Sequence, residues 1–163
     1  MAEVGISVSS VEKKVMVAID ESELSNYALE WTLQRLGESL ANSSLLIFTV
    51  QPFTDYSYLY ASSFGPASPE LLKSFQENQK RAAMALLERA KETCSKYGIT
   101  AETVTGVGDP KETICAAVEK HHIELLVVGG HSRGPLKRLF LGSVSNYIVN
   151  HAKCPVLVVK KLN

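Results

Sequence analysis

VVGGHSRGPLKRLFLGSVSNY, residues 127–147, is the stretch from which the fold can be read outward in both directions. It begins at the end of an apolar run, ELLVVG from Glu124 to Gly129, with the length and composition of a buried strand. Gly129 and Gly130 follow, and two residues without side chains let a backbone turn sharply and offer its N–H groups to an anion. Thirteen residues after Gly129 comes Gly142-Ser143, and then Val144, Tyr147, Ile148 and His151 recur at helical spacing. Ser143 is therefore expected to be the N-cap of that helix, where its hydroxyl and the free N–H groups behind it make a second phosphate site. A glycine after a strand and a Gly-Ser before a helix are each ordinary punctuation. Together they can hold a phosphate chain from two sides. The pattern is not a Walker loop, because no Gly-Lys-Ser/Thr follows the first strand, nor a dinucleotide fingerprint, which sits at the first strand-to-helix turn.

Moving outward, the same alternation repeats. VMVAI (Val15 to Ile19) is a continuous apolar run ending at Asp20; Ser22 reads as an N-cap, and Leu24, Tyr27, Ala28 and Trp31 as one helix face that stops near Gly37. SLLIFTV (Ser44 to Val50) is a second strand, and a helix rich in Gln, Lys, Arg, Ala and Leu is expected from about Pro69 to Tyr97. Between them, Pro52 to Ala67 is a long loop crowded with Tyr, Phe and Ser. A third strand near Ile99 to Val107 leads to Gly108. The next helix opens with Asp109 at N-cap, Pro110 at N1 and Glu112 at N3, and runs to about His121. PVLVVK (Pro155 to Lys160) is the fifth strand. Strands alternating with helices imply an α/β fold, an open parallel sheet with helices on both faces.

The bulk properties narrow the function. A chain of 163 residues with 45% hydrophobic content suits one domain, spanning 1–163 with a flexible leader at 1–12. Its formal net charge of zero lacks the basic footprint of a nucleic-acid binder. No long apolar stretch marks a signal peptide or membrane anchor, so a cytoplasmic protein is expected. Cys94, Cys115 and Cys154 have neither CxxC spacing nor an even count, which argues for reduced, packed thiols rather than disulfides or zinc. His121, His122, His131 and His151 lack metal-ligand spacing, and no nucleophile–base or paired-carboxylate arrangement can be read, so catalysis is not indicated.

The stretch at 129–143 resembles the universal stress protein signature, G-x2-G-x9-G-[ST], with Gly129 as its first glycine and Gly142-Ser143 as its end. The resemblance extends to VMVAIDES near the start, GDPKETI in the middle and GGHSRGPLKRLFLGSVSNYIVNHAKCPVLVVK at the end. One position departs: Ser132 stands where the second glycine belongs. If that position needs a positive φ, serine is strained there; if it needs only a small residue, the hydroxyl adds a phosphate contact.

The resemblance implies a Rossmann-like sheet of the adenine nucleotide alpha hydrolase type, strand order 3-2-1-4-5, with ATP or AMP held where the chain direction switches between strands one and four. It places Ala18 and Asp20 beside the adenosine, Val50 and Val128 as apolar walls for adenine, and Gly129, Gly130, Ser132, Gly142, Ser143 and Val144 around the phosphates. Arg133, Lys137 and Arg138 are either phosphate donors or a solvated basic face, and Asp20 is either a ligand contact or a satisfier of backbone donors. Mg²⁺ would accompany the phosphates, held mostly by them and by water. The resemblance also implies a homodimer built through Pro155 to Lys160 and a role in stress response or signalling. A nucleotide-free interaction protein and a very slow ATPase are the alternatives.

Overall fold

The computed structural model describes residues 13–52, 69–131 and 142–162, without the side chain of His131. In chain order the elements are β1 (Lys13–Ile19), α1 (Glu23–Ala41), β2 (Ser43–Pro52), α2 (Pro69–Lys96), β3 (Ala101–Gly108), α3 (Pro110–Lys120), β4 (Leu125–His131), α4 (Ser143–His151) and β5 (Val156–Lys161). The strands form one sheet in the order β3-β2-β1-β4-β5, and every pairing is parallel. The α/β class, the five parallel strands and their order are as expected.

The apolar runs lack alternation because the sheet is covered twice. Val15, Val17 and Ile19 of β1 pack with Leu29 and Leu33 of α1 and Leu87 of α2 on one face. Met16 and Ala18 point the other way, into a cluster with Ile114 and Val118 of α3 and Ile148 of α4. Met16, Val17, Ile47, Leu126 and Val127 are all completely buried at the centre. Each side chain of that size contributes about 1.5–3 kcal/mol by leaving water. Two of the expected helix starts are built as read: Ser22 accepts from the Ser25 N–H, and Asp109 from the Glu112 N–H with Pro110 at N1.

Three local expectations are corrected. α1 does not stop at Gly37 but runs to Ala41, because Leu40, only 3% exposed, carries the apolar stripe one turn further. β4 does not end at its glycines: Gly130 and His131 stay in the sheet, paired with Lys160 and Lys161 of β5. Ser143 is not the N-cap of α4. Gly142 is, with φ −52° and ψ 157° and no side-chain cap, so Ser143 is the first helical residue. Helix α4 therefore starts one residue earlier than the hydroxyl suggested. The leader at 1–12 and the long loop lie outside the described residues, except for Pro52, which ends β2 in register with Gly108.

Candidate functional site

Parallel strands send their carboxyl ends to one edge of the sheet, and the helices that follow β1 and β4, adjacent in the middle of the sheet, cover opposite faces. A cavity of about 370 Å³ opens at that point, within the size range of small-molecule sites. Ala18 and Asp20 from the end of β1, Val50 from β2, and Val128, Gly129 and Gly130 from β4 line it, with Gly142 and Val144 from the start of α4. Phe48, Ile114 and Ile148 form apolar wall deeper in.

The turn from β1 into α1 is fixed by hydroxyls. The Ser25 Oγ accepts from the Asp20 N–H at 3.0 Å and donates to the Asp20 carbonyl at 2.8 Å. Thr49, buried on β2, donates to the Ile19 carbonyl at 2.8 Å and joins the two strand ends. The Asp20 carboxylate accepts from the Ser22 N–H at 2.8 Å and from the Ser22 hydroxyl, both at Oδ1. Oδ2 takes no hydrogen bond from the described residues, so Asp20, which lines the cavity, satisfies its local backbone and keeps a free acceptor.

Gly129 serves a purpose other than a turn. A Cβ built there would lie 2.7 Å from the Leu24 carbonyl oxygen and 2.9 Å from its carbon. The backbone of the first turn of α1 thus rests directly on β4, and only a residue without a side chain permits it. Ser145, almost fully buried, donates to the Gly129 carbonyl at 3.2 Å and ties α4 to the same strand end. At Gly142, which lines the cavity, an added Cβ meets nothing within 4 Å among the described residues. Gly108 has φ +147°, and a Cβ there would meet the Thr113 hydroxyl at 2.8 Å; its role is the turn into α3.

The family model for the universal stress protein family matches residues 12–160. The chain belongs to the universal stress protein family. A universal stress protein A-like protein of Arabidopsis thaliana is 32% identical over 91% of this chain and 90% of its own. Universal stress protein YxiE of Bacillus subtilis is 31% identical over 90% and 98%. Among solved structures, a universal stress protein family protein of A. thaliana with AMP bound superposes with a TM-score of 0.67, at 31% identity, covering 92% of both chains.

Of the residues expected to form the family's site, Ala18, Asp20, Val50, Val128, Gly129, Gly130, Gly142 and Val144 meet in the one cavity. Ser143 does not. It faces a second cavity of about 490 Å³, which adjoins the first at Pro110 and Val144. Ser132, Arg133, Lys137 and Arg138 lie outside the described residues.

Sequence reading passed over Leu24, Ser25, Phe48, Ile114, Ser145 and Ile148. A signal for some of them existed. Ser22-Glu23-Leu24-Ser25 and Gly142-Ser143-Val144-Ser145 have the same pattern from the N-cap onward, an apolar residue at N2 and a serine at N3. Both apolar residues and both N3 serines line the cavity from opposite sides. Thiol chemistry is disfavoured: burial pushes the Cys94 pKa up to about 11, and desolvation raises those of Cys115 and Cys154.

Proposed function

We propose that this chain binds an adenine nucleotide, ATP or AMP, in the cavity between β1 and β4, and acts in stress response or signalling as a nucleotide-occupied dimer. The observation that carries the reading is the convergence in one apolar-walled cavity of Ala18, Asp20, Val50, Val128, Gly129, Gly130 and Gly142 from four separated parts of the chain. An adenine ring suits the walls made by Val50, Phe48 and Val128; the free Asp20 oxygen suits the donors of a ribose; the bare backbone of Gly142 suits a phosphate. The AMP-bound relative, similar over almost the whole chain, supports the same ligand class. Mg²⁺ would arrive with a triphosphate, held by its oxygens and water. Three free thiols fit the reducing cytosol.

The test is calorimetric titration of AMP and ATP into the wild type and Gly142→Val. Because a Cβ at Gly142 meets nothing within 4 Å among the described residues, the variant should fold while its side chain takes the phosphate space. An affinity loss of at least about tenfold, some 1.4 kcal/mol, is expected. Equal affinity in the folded variant, or a wild type that takes up neither nucleotide, would overturn the reading.

A further inference from the structure

The second cavity has no part in the reading above, yet it is contiguous with the site. Pro110 and Val144 face both spaces. Gly142 faces only the first and its neighbour Ser143 only the second. The two spaces adjoin there, so a phosphate chain that begins at Gly142 has room to continue past Ser143. There the ammonium of Lys111 lies 5.7 Å from the centre of the Tyr147 ring, which stacks on His151 at 3.9 Å.

We propose that Lys111 distinguishes nucleoside polyphosphates from monophosphates, receiving in the second cavity the phosphates beyond the first. The proposal rests on the nucleotide reading of the first cavity. Without ligand, Lys111 Nζ is held by both carboxylate oxygens of Asp109, at 3.0 and 3.2 Å. Both partners are well exposed, so the pair contributes little and is readily exchanged. Asp109 keeps a role when the lysine leaves, because its Oδ1 also accepts from the Glu112 N–H. A terminal phosphate presents more negative charge than one carboxylate and draws the ammonium across by a charge-assisted bond. The Tyr147 ring gives the cation a favourable surface on the way. AMP has a single phosphate, which stays at Gly142 and leaves the Asp109–Lys111 pair intact.

The experiment measures ATP and AMP affinities by calorimetry for the wild type, Lys111→Ala, Lys111→Arg and Lys120→Ala. Lys120 ends the same helix, so its loss controls for a general change in charge. Lys111→Ala is expected to weaken ATP about tenfold and leave AMP unchanged, Lys111→Arg to recover most of the loss, and Lys120→Ala to leave both nucleotides as in the wild type. If the wild type binds both nucleotides while Lys111→Ala weakens both equally, or neither, or if Lys120→Ala matches its effect, this inference fails and the nucleotide reading stands. A wild type that binds neither nucleotide removes both.

Discussion

Two helices end in the same turn with different residues at its critical position. At the end of α2 the Gly98 N–H donates to Ser95 and the Ile99 N–H to Cys94; at the end of α3 the His122 N–H donates to Glu119 and the Ile123 N–H to Val118. Each is the paired reverse turn that needs a left-handed residue just past the helix. Gly98, at φ +72°, adopts that conformation freely, whereas His122 is held there at φ +53° against its own Cβ. Gly98→Ala should therefore cost about 1 kcal/mol. His122→Gly should gain about 0.5 kcal/mol, the relief being partly offset by the greater freedom of glycine in the unfolded chain. Urea titration of both variants checks this, and a destabilised His122→Gly would mean that the exposed imidazole makes a contact that matters.

At the level of elements, α1 shows how a correct pattern yields a wrong boundary. Glycine is a common helix stop, but the stop is decided by whether the next turn buries anything. Here Leu40 does, and its burial outweighs the roughly 1 kcal/mol that a mid-helix glycine costs. Since a Cβ at Gly37 meets nothing within 4 Å, Gly37→Ala should stabilise the protein by about that amount. Thermal unfolding measures it, and an unchanged or lower midpoint would contradict the account. The strands and their parallel pairing were legible because each strand is a continuous apolar run, such as VMVAI or SLLIFTV, alternating with a helical segment, whereas the cavity walls at the strand ends followed only from the family resemblance. The purpose of Gly129 was not legible. Its neighbour in space is the backbone of Leu24, more than a hundred residues away, and no local pattern records which backbone will rest on a glycine. The cap of α4 was misread for a related reason: Gly-Ser offers two adjacent candidates, and the tertiary bond from Ser145 to the Gly129 carbonyl accompanies the earlier one.

For the whole molecule, the open question is assembly. β5 lies at one edge of the sheet, paired only with β4 among the described strands. The Leu126 N–H donates to the Pro155 carbonyl, so that carbonyl faces β4. Across a trans peptide the next N–H points the opposite way, and with strand alternation the N–H groups of Val156 and Val158 face outward. A two-fold copy pairing there would satisfy them. Val156 and Val158 themselves pack inward with the α3 and α4 cluster, so a charged substitution would damage the core as well as the edge. Val158→Pro is the cleaner probe: it removes one outward donor and leaves the β4 ladder. Light scattering should show a dimer for the wild type and a monomer for the variant, whereas a monomeric wild type at micromolar concentration would refute the dimer. The long helix α2 has a consequence of a different kind. Its buried residues begin at Ala83, and residues 69–82, about 21 Å of helix, hold none. One continuous helix thus has two stabilities: its C-terminal half opens only with the core, while the N-terminal half, which buries no side chain in that core, opens at a lower cost.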